Sequence, residues 1–289
     1  MEWIFSVLGF VLIALGLHDV FHTLLHPTGQ GRIGRFIIDR VWRMSQALGA
    51  KALSLAGPVA LVGVMLFWAT LQTVGWALVY YPHVPDGFVY VDGLNEADYG
   101  DFTESLYFSL ATLTTVGYGD VVVSDPWIRL FSPVEALIGF GLLTAAVTWF
   151  MQVYPALGRR RALAIRLTVL GEADYAGNIG ARDTGAAAWA LETLAIDVVQ
   201  IRIDLTQTPE SYYFRESTSA LSLGASLTQA VYLSAKAADS QDPGVRLSGV
   251  VLRKALEDFA GLLARDFRLP GPDLEDYFRQ FAADHKHEY

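Results

Sequence analysis

Apolar positions along the chain gather into three runs long enough to cross a bilayer. The hydrocarbon core takes roughly 20 residues of helix, the form in which a chain satisfies its own backbone hydrogen bonds away from water. The first run extends from about Trp3 to Leu25, apolar as far as Leu17 and more polar after it. The second, Pro58 to Tyr81, reads PVALVGVMLFWATLQTVGWALVYY, with Trp76, Tyr80 and Tyr81 grouped near one end like an interfacial belt. The third, about Trp127 to Tyr154, contains Ser132-Pro133-Val134-Glu135. That order predicts a helix start with Ser as cap, Pro at the first position and Glu closing a capping box. Between the first two runs, RIGRFIIDRVWRMSQALGAKAL sets Ile33, Ile37, Val41, Met44 and Leu48 at helical spacing with Arg on the other faces. This predicts an amphipathic helix on the inner leaflet or a plain connecting helix; the pattern is the same for both. From Ala162 onward charged residues become frequent and the helical period dominates, which predicts a soluble helical domain. Pro243-Gly244 and Pro270-Gly271-Pro272 punctuate it, and Asp273, with Asp276 three residues on, is placed to cap a last helix. Four segments follow: an N-terminal transmembrane helix at 1–27, a linker helix at 28–56, a membrane domain at 57–155 and a helical domain at 156–289.

Composition sharpens this picture. Of 289 residues 53% are hydrophobic, above the apolar share of about 45–50% in soluble domains. No cysteine is present, which removes disulfides, thiolate metal sites and a Cys nucleophile. The net charge of −9 argues against nucleic acid as a partner. Basic residues fix an expected orientation. Arg32, Arg35, Arg40, Arg43 and Lys51 lie between the first two runs, and Arg159, Arg160 and Arg161 follow the third, so both sets belong on the cytoplasmic side. The N-terminus and the segment 82–126 are then outside, and the C-terminal domain inside. The first run starts with Glu2 and lacks a small-residue cleavage site, unlike a signal peptide. The outer segment holds Asp86, Asp92, Glu96, Asp98, Asp101 and Glu104 without Lys or Arg up to Gly119, a negative field that concentrates cations.

Within that segment lies TTVGYGD, Thr114 to Asp120. Asp101-Phe102-Thr103-Glu104 before it predicts an Asp-capped helix continuing through SLYFSLATLT, too short to span. Irregular chain at membrane depth is tolerated only where it lines an enclosed watery path. To replace the hydration shell of a cation, successive carbonyls must face one axis, which demands a backbone that ordinary L-residues resist. Gly117 and Gly119 supply the freedom, Thr115 adds a hydroxyl oxygen, and Val116 and Tyr118 turn away to brace the strand. The C-terminal end of the short helix, at Thr112 to Thr114, brings its negative dipole end to the same place.

In these residues the sequence resembles potassium channels of the pore-loop superfamily, whose signature T-V-G-Y-G stands between two membrane helices. The resemblance covers roughly Pro58 to Tyr154. It implies an all-α membrane protein and a tetrameric pore of outer helix, pore helix, filter and inner helix, here with an additional N-terminal helix and a helical cytoplasmic domain. It implies potassium coordination by the carbonyls of Thr115, Val116, Gly117, Tyr118 and Gly119, with Thr114, Tyr107 and Asp120 as support. Ala111 stands where some members carry an acid that pairs with the one after the filter, leaving Tyr107 as the partner for Asp120. A gating bend falls at Gly139, twenty residues after Gly119, with Gly141 as a second candidate.

Other features stay open. His18, His22 and His26 share one face around Asp19 and suit either a metal or pH-sensing site or polar capping at the membrane edge. Gln72 bonds a neighbouring helix or stands at a packed interface. No run carries Arg at every third position, which argues against a voltage sensor, and no dinucleotide fingerprint is present. The expectation is a homotetrameric potassium channel of the cell membrane, contacting lipid and permeant potassium, with no cofactor and no enzymatic activity. The nearest alternative is a weakly selective cation channel; a membrane metalloenzyme built on the His cluster and a non-conducting scaffold are more distant. The gating stimulus is not legible.

Overall fold

The computed structural model describes residues 3–24, 31–94, 98–179 and 184–287. In order these form α1 (Trp3–Leu24), α2 (Arg32–Leu48), α3 (Ala50–Tyr80), β1 (Phe88–Tyr90), α4 (Asp101–Leu113), β2 (Val121–Val123), α5 (Pro126–Glu172), α6 (Thr184–Gln207), α7 (Leu223–Ala238), α8 (Pro243–Asp266) and α9 (Leu274–Asp284). Short 3₁₀ turns follow α3, α6 and the loop before α7. Among the described residues three helices are long and apolar enough to cross a membrane: Trp3–Leu24, Ala50–His83 and Pro126–Glu172. The chain divides into two compact units, Met1–Arg40 with Ala60–Met151, and Val41–Val59 with Gln152–Tyr289.

In the first unit α1 packs closely on α3. A Cβ on Gly9 would lie 2.4 Å from the Gly75 carbonyl oxygen, so the two backbones touch where no side chain intervenes. Gln72 crosses the same contact, its Nε2 donating to the Ile13 carbonyl at 3.1 Å. The acid on α1, Asp19, is buried and ties three helices together. Its carboxylate accepts from the backbone N–H of Ile33 (3.1 Å) and Gly34 (3.2 Å) in the first turn of α2, and from Trp68 Nε1 on α3 (2.9 Å). Those N–H groups have no partner within α2, and a negative charge there also meets the positive end of the helix dipole.

Trp76 and Tyr80 do not form an interfacial belt. Both are buried and stacked on each other, with Phe10 and Phe108 at their edges, in a cluster with Ile13, Phe88, Val121, Val123 and Ile128. Their grouping near one end of the run predicts a membrane-surface belt, whereas the α3 face that carries them turns to its neighbours. Helix α5 also begins earlier than the Ser132 cap predicts. Asp125 caps it, accepting from the N–H groups of Trp127 (2.8 Å) and Ile128 (3.3 Å), and Pro126 takes the first position. Ser132-Pro133 lies inside the helix, so Glu135 is free for another role. On α2 the buried stripe is Gly34, Ile38, Trp42 and Ser45, one position off the predicted line, and Met44 and Leu48 are exposed.

The second unit is a helical bundle. Leu191, Leu194 and Val198 of α6, Leu227 and Ala230 of α7, Leu252, Leu256 and Phe259 of α8, and Phe278 and Phe281 of α9 fill its core, with Leu163 and Leu167 from the end of α5. Caps follow the sequence signals: Asp242 accepts from Val245 N (3.0 Å) with Pro243 next, and Asp273 accepts from Asp276 N (2.9 Å). The three arginines after the apolar run hold this bundle. Arg159 grips Asp204 through two bonds of 2.7 and 2.8 Å, and Arg160 and Arg161 share Glu216 at 3.0 and 2.7 Å. Buried Arg160 also donates to the carbonyls of Ser211 and Phe214.

Candidate functional site

The site grows from α4. Its buried face repeats at Ser105, Ser109 and Leu113, and the two small serines let the helix lie close to its neighbours. Gly100 rather than Asp101 occupies the cap position, and Glu104 N donates to the Gly100 carbonyl at 3.0 Å. Asp101 and Glu104 fall in the first turn, where negative charge is favoured. At the other end the chain turns tightly. Thr114 N donates to Leu110 O (3.1 Å), Thr115 N to Thr112 O (2.9 Å), and Val116 N and Gly117 N both to Ala111 O (3.0 and 3.2 Å).

From here the backbone alternates. Thr115, Gly117 and Gly119 have φ of +58°, +50° and +78°, whereas Val116 and Tyr118 between them do not enter positive φ. Alternation between left- and right-handed conformations turns successive carbonyls toward one side, unlike a β-strand. For Thr115 the conformation costs about 1–2 kcal/mol, and for the two glycines it is free. No atom comes within 4 Å of a Cβ built on Gly117 or Gly119, so backbone conformation and not crowding requires glycine at these positions. After Asp120 the chain enters β2, which pairs antiparallel with β1 in the register Val89↔Val122, and Val91 N donates to Asp120 O at 3.0 Å. Asp120 is also held from α4, its carboxylate accepting from the Tyr107 hydroxyl at 2.5 Å. The segment is thus tied at both ends and open along its length: Thr114 to Gly119 are exposed in the single chain, Val116 to 51% and Tyr118 to 73%.

Beneath the segment, Gly139 of α5 meets the end of α4. A Cβ there would lie 1.8 Å from the Leu113 carbonyl oxygen, so only glycine permits the contact, and α5 continues through it as helix. Gly141 has open space around it. A cavity of about 510 Å³ lies below, bounded by Leu66 and Ala69 of α3, Thr114 and Thr115, and Phe140 and Leu143 of α5.

His18 and His22 lie side by side, their rings tilted by 50° with centres 4.3 Å apart. Their neighbour Asp19 is committed to α2 and Trp68, and among the described residues no group of three His, Cys, Asp or Glu side chains is arranged to hold a metal ion. His26 lies outside the described residues, as does Glu96 of the outer acidic segment.

Sequence reasoning read Glu135 only as part of a helix cap. The structure buries it completely behind α4, where Tyr80 Oη and Ser109 Oγ reach its two oxygens at 2.6 and 2.5 Å. The signal was a lone acid inside the apolar run VEALIGFGLL, since an ionisable residue within a span is expensive and needs a reason.

Residues 63–155 match the family model described as an ion channel. The uncharacterized membrane protein YdjJ of Bacillus subtilis is 28% identical over 171 residues, which cover 58% of this chain and 49% of that protein. The potassium channel KAT3 of Arabidopsis thaliana is 26% identical over 177 residues, 55% of this chain and 26% of the relative. Two-pore potassium channel 5 of the same plant is 45% identical over 40 residues, 14% of this chain and 10% of the relative. The chain spans about half or less of the length of these relatives. No solved structure matches it. The matched stretch includes α4, the alternating segment, the ribbon and the apolar parts of α3 and α5. The chain is therefore an all-α, multi-pass membrane protein that carries a pore-loop ion-channel domain resembling those of potassium channels.

Proposed function

We propose that this chain is one subunit of a homotetrameric, potassium-selective channel of the cell membrane. The observation that carries the proposal is the alternating backbone of residues 115–119, with positive φ at Thr115, Gly117 and Gly119. Carbonyls turned to one side from a single chain reach an ion from one direction only, and full coordination needs copies around an axis. The uncovered flank of the same segment supports that assembly, as does the apolar face of α5 with Leu137, Phe140, Leu143 and Val147 exposed. Potassium passes down its gradient through these carbonyls, with Thr114, Tyr107 and Asp120 supporting the filter and no cofactor taking part. The basic residues flanking the apolar runs support a cytoplasmic side for the helical domain and the linker. Opening is a movement of α5 near Gly139 and Gly141, driven by a signal reaching the helical domain.

Purified protein in liposomes tests this directly. Potassium uptake down an inward potassium gradient, blocked by barium, is the expected result. Liposomes that stay potassium-tight with folded, correctly inserted protein would rule the proposal out.

A further inference from the structure

Glu135 of α5 is buried at 0% exposure in the first unit with no cationic partner. It enters no ion pair among the described residues, and the groups facing it are Tyr80 from α3 and Ser109 from α4. The Ser109 hydroxyl touches a second acceptor, the Thr73 carbonyl of α3, at 2.9 Å. Hydrogens can be counted around this chain of four groups. Tyr80 has one O–H and needs one acceptor, Glu135 Oε2. Ser109 has one O–H but faces two oxygens, Thr73 O and Glu135 Oε1. Were Glu135 ionised, one of those close oxygen pairs would have no hydrogen between its members, and a bare charge would sit in an apolar interior, the costliest arrangement available. With one further proton every contact is made: Tyr80 O–H donates to Oε2, Oε1–H donates to Ser109 Oγ, and Ser109 O–H donates to Thr73 O.

We infer that Glu135 is a neutral carboxylic acid that staples α3, α4 and α5 together behind residues 115–119, and is a positioning residue for ion selectivity. The inference rests on the channel reading, because selectivity is the property that it positions. Ser109 lies on the buried face of α4 one turn before Leu113, and Leu113 abuts Gly139. Helix α4 is thus fixed by Glu135 at Ser109 and by the Tyr107–Asp120 bond across the segment, and its Ala111 carbonyl holds Val116 and Gly117 in place. A small rotation of α4 would carry the carbonyl array off its axis. A carboxylate would repel Thr73 and Ser109 oxygens and loosen that fit, whereas a neutral acid or amide closes it.

Two measurements on the full-length protein in membranes test this together. The infrared difference between wild type and Glu135→Gln should show a protonated-acid carbonyl band at neutral pH belonging to Glu135. Glu135→Gln, whose amide donates to Ser109 and accepts from Tyr80, should keep the wild-type reversal potential in a potassium/sodium gradient. Ser109→Ala, which keeps the fold because it removes only one oxygen, should lower the potassium-to-sodium permeability ratio about tenfold, as should Glu135→Ala. An ionised-carboxylate signature in place of the acid band would overturn the inference. So would wild-type selectivity in folded Ser109→Ala. A wild-type protein without any potassium current would instead refute the channel reading, and the infrared result would still decide the protonation of Glu135.

Discussion

At Gly117 and Gly139 a single methyl group separates two kinds of glycine. Gly117 has φ +50° with open space around it, so alanine there costs about 1–2 kcal/mol in backbone strain and leaves packing untouched. Gly117→Ala should fold and insert like wild type yet lose conduction, which comparison of flux with membrane yield will show. At Gly139 the conformation is ordinary helix and the space is lacking, since a Cβ would press into the Leu113 carbonyl. Gly139→Ala should lower stability in detergent by about 1–3 kcal/mol, whereas Gly141→Ala, in open surroundings, should leave it within error. Equal melting temperatures for the two variants would refute the close contact of α4 with α5. At this scale the sequence was most legible where a rare conformation is needed: the glycines of T-V-G-Y-G predict a permissive backbone, and Gly117 and Gly119 have φ of +50° and +78°. Glu135, Ser109 and Tyr80 were not legible as a group, because they are 55 and 26 positions apart along the chain and meet only through three helices.

Among the elements, one carboxylate joins α1 to both α2 and α3. Asp19→Ala would leave the Ile33 and Gly34 amides and the Trp68 indole N–H without their acceptor, each worth about 1–3 kcal/mol when buried. Limited proteolysis should then cut near the start of α2 at protease levels that spare the wild type. A second prediction concerns the end of α9. His285 is buried between the Tyr212 and Phe281 carbonyls and beside Trp42. Burial, and then the charge of Arg160, push its imidazole down to about 4, against the opposing pull of the two carbonyls and Asp284. The folded form therefore binds fewer protons than the unfolded chain between pH 6.5 and about 4. The stabilisation is complete above pH 6.5 and is lost as pH falls through that window, on the order of 1–3 kcal/mol. Thermal melts of the full-length protein should show that decline, and His285→Gln should flatten it. Element limits were readable from caps and apolar runs, with informative errors. The Ser132-Pro133 signal gave way to Asp125-Pro126, equally good chemistry about two turns earlier. The apolar line of α2 shifted because Trp42, not Met44, finds aromatic partners in Tyr212, Tyr213 and His285.

For the whole molecule, the membrane class and the pore loop follow from hydropathy, charge and one motif, because bilayer thickness and carbonyl coordination leave few solutions. The helical bundle was visible only as helices. Which faces meet depends on pairings such as α6 with α8 and on Arg159, Arg160 and Arg161, which the sequence offered as topology signals and which bind Asp204 and Glu216. The proposed assembly has further copies covering the exposed flank of residues 114–119, and cross-linking in native membranes should then give a ladder that ends at the tetramer. The most direct measurement is the reversal potential of wild-type protein in a planar bilayer with potassium on one side and sodium on the other. A pore formed by the carbonyls of Thr115 to Gly119 displaces it far from zero, with the sign that potassium current alone sets; a reversal near zero, with both ions carrying current equally, would contradict it.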